Sequence, residues 1–206
     1  MVSSDMPFAV KNKMITNTFE ITELALELKK GSLALFPTDT LPALCSYPKF
    51  SKKIWNIKKR PLHKPLILMG GCLDDLFEFV KPCAIDDGMK LAKKHWPGAL
   101  TIVLPSIGNI YKNLNSNSNS IGLRVPSLKL ARDLLLQTGP LATTSANISG
   151  ESPVKDALDA SIQFPGIPLL APIPWPNSSG VASTVVEWKE GEWNLLRSGS
   201  VVLNEK

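Results

Sequence analysis

Short apolar runs, each halted by proline or glycine, recur along this chain between segments of helical period, and this alternation narrows the fold more than any other feature. Ser32-Leu33-Ala34-Leu35-Phe36 stops at Pro37, and Pro65-Leu66-Ile67-Leu68-Met69 closes on Gly70-Gly71. Leu100-Thr101-Ile102-Val103-Leu104 ends at Pro105, and Gly122-Leu123-Arg124-Val125 ends at Pro126. Leu141-Ala142-Thr143-Thr144 is a further strand that runs into Ser145-Ala146-Asn147, and the tail holds two strand-like pieces, Ser183 to Glu187 and Trp193 to Leu196. Between them, Phe19 to Lys30 places Ile21, Leu24, Ala25 and Leu28 on one helical face, with Gly31 as its stop. Ser51 is positioned to cap a helix through Ile57, Asp86 to His95 reads as a helix, Ser127 as the cap of one through Gln137, and Pro153 as the head of one through Gln163. Strands alternating with helices predict an α/β fold: a twisted sheet, parallel or mixed, with flanking helices.

A chain of 206 residues buries about 70% of its unfolded surface, enough for one core without metal or disulfide support. With 44% hydrophobic and 20% charged residues it is neither disordered nor membrane-embedded. No apolar run approaches the roughly 18 residues of a spanning helix, and the first residues hold no stretch suited to a secretory signal. A cytoplasmic protein without a membrane partner is expected. Cys45, Cys72 and Cys83 form no CxxC pair, and neither His63 nor His95 stands at metal-ligand spacing from them, so a zinc site is not expected. The cysteines read as buried small apolar residues.

The net charge of +5 is mild, but its placement is not. No acidic residue lies between Asp39 and Asp74, a stretch that carries Lys49, Lys52, Lys53, Lys58, Lys59, Arg60 and Lys64. Such a run serves either as a solvated face or as an anion site. It ends in Arg60-Pro61-Leu62-His63-Lys64-Pro65, whose prolines restrain the backbone and favour a fixed anion site.

Ligands of open α/β sheets gather just beyond strand ends. Four such loops here are small and polar: Thr38-Asp39-Thr40, Lys58 to Lys64, Ser145-Ala146-Asn147, and Ser183-Thr184 with Arg197. Hydroxyls, an amide and cations offer donors to a phosphate-rich ligand without adding negative charge. Taken singly, such clusters are more often caps and turns than ligand sites. Asp39 has three open readings: orienting a donor, helping to hold magnesium, or capping a turn. Asn113 to Ser120 (NLNSNSNS) reads as a mobile surface loop. No GxxxxGK[ST], GxGxxG or GxSxG occurs, and the two histidines read as structural or surface residues. The inventory therefore fits chemistry by positioning and charge neutralisation better than by a nucleophilic side chain.

Seven short motifs in order carry a resemblance over nearly the whole chain. They are Pro37-Thr38-Asp39-Thr40; Lys58-Lys59-Arg60-Pro61 with Lys64-Pro65-Leu66; Trp96-Pro97-Gly98 with Leu100-Thr101; Gly122 to Pro126; Thr144 to Gly150; Ser183-Thr184-Val185-Val186; and Leu196-Arg197-Ser198-Gly199. This set resembles the YrdC-type family of threonylcarbamoyl-AMP synthases in its short form. The resemblance implies an N-terminal extension over 1–17, a YrdC-like domain over 18–202 built around a basic cleft, and a tail over 203–206.

It also implies an activity: L-threonine, bicarbonate and ATP, with Mg²⁺ held by the ATP phosphates, give threonylcarbamoyl-AMP and pyrophosphate. A transferase partner then passes the group to adenosine 37 of tRNA. Lys58 and Arg60 correspond to the family's Lys-x-Arg pair and take the catalytic roles. Ser145 and Asn147 match its Ser-x-Asn pair, and both pairs being intact separates the chain from the YciO-like branch. Thr38, Thr40, Lys64, Thr101, Arg124, Ser183 and Arg197 are the further residues expected to bind substrate or nucleotide, and no protein metal ligand is assigned. Where the family commonly continues Thr-Asp-Thr with Val-Tyr-Gly-Leu, this chain has Leu41-Pro42-Ala43-Leu44. Two other readings remain open: a non-catalytic module binding double-stranded RNA or tRNA, and a paralogue acting on another amino acid.

Overall fold

Proline and glycine punctuation becomes strands of two to six residues in the computed structural model, which describes residues 17–115 and 118–203. The strands are β1 (Thr18–Phe19), β2 (Ala34–Phe36), β3 (Ala43–Ser46), β4 (Ile67–Met69), β5 (Leu100–Pro105), β6 (Ser120–Arg124), β7 (Leu141–Ser145), β8 (Leu169–Leu170), β9 (Thr184–Lys189) and β10 (Glu192–Arg197). The helices are α1 (Ile21–Lys29), α2 (Lys52–Lys58), α3 (Asp74–Phe77), α4 (Ile85–His95), α5 (Lys129–Thr138) and α6 (Ala157–Gln163). The first 16 residues of the expected extension, residues 116–117 of the polar loop and residues 204–206 of the expected tail lie outside the described residues. Asn17 already belongs to the fold, its carbonyl accepting from Leu169 N at 2.9 Å, and Leu203 packs on the main core.

All the described strands join one sheet in the order β1-β8-β2-β3-β7-β4-β6-β5-β9-β10. It is mixed. Pairs β1/β8, β2/β8, β4/β6 and β5/β9 are parallel; the other five are antiparallel. Short links such as that between β2 and β3 permit only antiparallel neighbours, whereas parallel ones need a crossover.

Two expected helix starts moved, where a tertiary contact outranks a local cap, and a third kept its place without the expected cap bond. Ser51 does not cap α2; the turn Pro48–Phe50 already leads the chain in with helical dihedrals, and Ser51 makes no side-chain cap bond. Ser127 does not cap α5, which starts two residues later, and its N–H is held by Asp39 Oδ1 at 3.0 Å. Pro153 does not head α6; Val154 is tied to Ala146 O at 2.9 Å, and Asp156 caps the helix by accepting from Asp159 N at 2.9 Å. Of the cysteines, Cys45 alone is buried, while Cys72 is half-buried and Cys83 exposed.

Alternation along the strands builds two unequal faces. Leu35, Leu44, Leu68, Ile102, Leu123 and Ala142 point to one side and join a continuous core with Ile54 and Trp55 of α2, Leu91 of α4 and Ala157 and Ala160 of α6. Truncating any such leucine to alanine costs about 2–5 kcal/mol. The opposite face is covered over only part of its width: Phe36, Ala43, Cys45, Met69 and Leu141 pack under Leu24 and Leu28 of α1 and Leu134 and Leu135 of α5. The remaining stretch, centred on Gly122 between Ile67 and Val103, has no described helix over it. That gap positions the site.

Candidate active site

The uncovered sheet face is the floor of a cavity of about 440 Å³, within the roughly 300–1,000 Å³ usual for small-molecule sites. Ile67, Gly122, Val103 and Val185 form its base, one residue from each of four adjacent strands. A Cβ at Gly122 would stand 3.0 Å from Ile67 Cγ2, so glycine keeps the floor deep. Of the residues expected at the site, Thr38, Thr40, Arg60, Lys64, Thr101, Arg124, Ser145, Ser183 and Arg197 line the cavity; Lys58 and Asn147 do not.

One wall is the loop between β2 and β3. The Thr38 hydroxyl donates to Leu41 O at 2.7 Å and meets the Thr40 hydroxyl at 3.1 Å, which curls the loop over the sheet. Arg124 locks it from below. Its Nη1 donates to Thr40 Oγ1 at 2.8 Å, its Nη2 to Asp39 Oδ2 at 2.9 Å and its Nε to Gly98 O at 3.0 Å. Both Asp39 oxygens are therefore engaged, one by Arg124 and one by Ser127 N–H, and of its three readings the one observed is orienting a donor. Three of the five guanidinium N–H groups of Arg124 are used in these contacts. The Pro42 carbonyl accepts from Ala146 N at 2.8 Å, while Leu41 and Ala43 line the cavity.

The opposite wall comes from β5, β9 and β10. The Thr101 and Ser183 hydroxyls pair at 2.9 Å, and Arg197 donates from Nε and Nη2 to Ser183 O at 3.1 and 2.8 Å and from Nη2 to Ser183 Oγ at 3.1 Å. Gly199 makes this possible: a Cβ there would sit 2.3 Å from Ala182 O, so only glycine lets the segment lie against the Ser183 backbone.

The third wall is the turn after α2. Lys59 takes a left-handed conformation, φ 49°, and ends the helix. Arg60 then folds back along its own turn, donating from Nε to Lys64 O at 3.2 Å and from Nη2 to Pro65 O at 2.9 Å. Lys58, expected to face the ligand with Arg60, turns inward instead. It is 0% exposed, and its ammonium donates to Ser145 O, Asn147 O and, at 3.0 Å, Asn147 Oδ1. Asn147 Oδ1 also accepts from the Ser145 hydroxyl at 2.8 Å, and Ser149 N–H donates to Lys58 O at 3.0 Å. Lys58 thus braces the Ser145–Ser149 turn from both its side chain and its backbone. Burial, with Arg60 nearby, pushes its ammonium down to about 7, while three acceptors favour the protonated form.

The guanidinium groups of Arg60, Arg124 and Arg197 all line the cavity. Burial lowers all of them; Arg197 lowers Arg60 and Arg124 further by like-charge repulsion, against which Asp39 opposes the effect at Arg124. Like charges are held together here with one ion-paired carboxylate among them, Asp39 on Arg124 at 2.9 Å. Among the described residues no group of three or more His, Cys, Asp and Glu side chains could hold a metal ion, and no helix is long and apolar enough to cross a membrane.

Residues 27–199 match the Sua5/YciO/YrdC family model, described as "Telomere recombination". The chain belongs to this family. The threonylcarbamoyl-AMP synthase of Bacillus subtilis is 32% identical over 201 residues, covering 93% of this chain and 57% of that protein. The synthase of Histophilus somni is 33% identical over 156 residues, covering 70% of this chain and 81% of its own length. Among solved structures, Pyrococcus abyssi Sua5 complexed with L-threonine superposes with TM-score 0.78 at 28% identity, covering 90% of this chain and 58% of that one. Escherichia coli YciO, at TM-score 0.76 and 21% identity over 90% of this chain and 96% of its own, shares the fold. The chain spans little more than half the length of the Bacillus and Pyrococcus relatives. Other members of the Sua5/YciO/YrdC family named for the same reaction thus come from bacteria and archaea alike.

Glu187 lines the cavity and was not expected there, while Gly122 and Ala43, noted only within a motif and within the departure from the family pattern, line it too. For Glu187 a signal existed: it alternates with Ser183 and Val185 along an expected strand, so all three face the same side. The polar loop contributes Asn115, Ser118 and Ser120 to the lining, and Ser120 already belongs to β6.

Proposed function

We propose that this chain is an L-threonylcarbamoyladenylate synthase, converting L-threonine, bicarbonate and ATP to threonylcarbamoyl-AMP and pyrophosphate. The observation that carries the reading is the convergence of Arg60, Arg124 and Arg197 on one cavity, where Arg197 repels the other two and a triphosphate would relieve that repulsion. Guanidinium groups grip phosphate bidentately, and a partly enclosed site strengthens each contact. The threonine amine adds to bicarbonate with loss of water, giving a carbamate. A carbamate oxygen then attacks the α-phosphorus, and pyrophosphate departs with the bonding pair. Two anions must meet, so neutralisation by Arg60, Lys64 and Arg197 and alignment by Ser145, Ser183 and Thr101 do the catalytic work. Lys58 and Asn147 act through Ser145 by fixing its turn.

Thr38, Thr40 and Arg124 suit the carboxylate and hydroxyl of an amino acid, and the L-threonine complex of the Pyrococcus relative supports threonine in that role. Carboxylates are scarce around the cavity, so Mg²⁺ would ride on the phosphate oxygens, where it would offset phosphate charge. The product would serve a transferase that modifies adenosine 37 of tRNA in the cytoplasm. A concave chamber with inward-facing donors supports a small ligand over a double-stranded RNA module, which needs only an open basic face.

Pyrophosphate release should require ATP, bicarbonate and threonine together, and should fall when other amino acids replace threonine. Release that ignores threonine, or that prefers another amino acid, would overturn the assignment.

A further inference from the structure

Glu187 lines a cavity whose other charged lining residues are all cations: Arg60, Lys64, Arg124 and Arg197. It is half-buried, and among the described residues its carboxylate has no hydrogen bond and no ion pair, not even with those four. Its place is set by the sheet. Glu187 pairs with Val103 one step beyond the Thr101–Val185 pair on the same face, about 7 Å along the strands from the level where Arg197 pairs with Val185. A carboxylate accepts and does not donate, so an unpartnered one facing a cavity calls for a donor on the ligand. A divalent cation or a ligand ammonium would meet the field of four surrounding cations. A neutral pair of hydroxyls would not, and two adjacent hydroxyls match the two oxygens of a carboxylate.

Resting on the synthase reading, we infer that Glu187 is a specificity residue that accepts hydrogen bonds from the ribose 2′- and 3′-hydroxyls of the nucleotide, while the phosphates contact the three arginines. It selects a ribonucleotide within a site that would otherwise grip any oligophosphate. Carboxylate recognition of ribose hydroxyls is a recurrent solution in nucleotide-binding folds.

The test measures equilibrium binding of ATP, 2′,3′-dideoxy-ATP and inorganic tripolyphosphate to the full chain, with Mg²⁺ and in EDTA, for wild type, Glu187→Ala and the isosteric Glu187→Gln. Wild type should prefer ATP over the dideoxy analogue about tenfold, equivalent to about 1.4 kcal/mol. Glu187→Ala should bring that preference within twofold and leave tripolyphosphate binding equal or tighter, and Glu187→Gln should fall between. An ATP preference identical in wild type and both variants would overturn the inference while leaving the synthase reading intact. An effect seen only with Mg²⁺ would assign Glu187 to the metal and overturn it too. Failure of wild type to bind ATP at all would remove the nucleotide reading and this inference with it.

Discussion

Replacing Lys58 by methionine separates a cation that touches the ligand from one that braces the site. Methionine keeps an unbranched stem beside α2 and deletes the donors to Ser145 O, Asn147 O and Asn147 Oδ1. Hydrogen bonds from a charged donor contribute about 1.5–3 kcal/mol each, but burying the ammonium costs several kcal/mol, and breaking one buried charged contact nets about 3–5 kcal/mol. Asn147 is only half-buried, so water reaches some orphaned acceptors and about 3 kcal/mol is expected. Arg60→Met loses two bonds to carbonyls of an exposed turn, about 1 kcal/mol or less. With a urea slope of about 2 kcal/mol/M, the unfolding midpoint should drop about 1.5 M for Lys58→Met and under about 0.5 M for Arg60→Met. Tripolyphosphate affinity should rank them the other way, weakening at least about tenfold for Arg60→Met and staying within about threefold for Lys58→Met, by the usual worth of a charge-assisted contact. A Lys58→Met protein with the wild-type midpoint and tenfold weaker tripolyphosphate binding would refute the bracing role.

Three further outcomes follow from the same contacts. The folded Lys58 value near 7 lies below its ordinary 10.5, so between these pH values the unfolded chain holds a proton that the folded chain has released. Stability should therefore rise with pH across that window, by up to about 1.4 kcal/mol per unit in wild type and not in Lys58→Met, as read by urea titration at several pH values. Gly199→Ala drives a Cβ toward Ala182 O and Ser183, so it should cost about 1–3 kcal/mol and weaken ATP binding by moving Arg197; calorimetry showing neither effect would contradict the close approach. Asp39→Asn strips the counter-charge from buried Arg124 and should lower stability by about 2–4 kcal/mol while loosening the Thr38–Thr40 loop, visible as faster amide exchange at Thr40.

How far the sequence reaches depends on whether local or distant forces decide. β4, β5, β6 and β7 were legible because a short, mostly apolar run and a terminal proline, glycine or polar turn are written into each. β3 was not: its four residues are all buried, so Ala43-Leu44-Cys45-Ser46 shows no alternation, and Pro42 precedes it like a stop. β1 and β8, two residues each, are too short to carry a period and exist because they pair with each other. Polar residues at strand ends pointed to the site, since loops beyond a sheet edge converge. What chain order could not convey was aim. Lys58 and Arg60 lie two positions apart, yet the left-handed Lys59 sends one into the Ser145 turn and leaves the other at the cavity. Glu187 on a strand reads as a solvated position, and only the missing helical cover over that part of the sheet turns it into lining.

Arg197 belongs to β10, the last of the described strands in chain order. Synthesis runs from the N-terminus, and most of the sheet precedes that strand. A nascent chain can thus assemble most of its core before Arg197 reaches the Ser183 carbonyl. The cavity wall that Arg197 builds against Ser183 is therefore completed after the sheet floor it stands on.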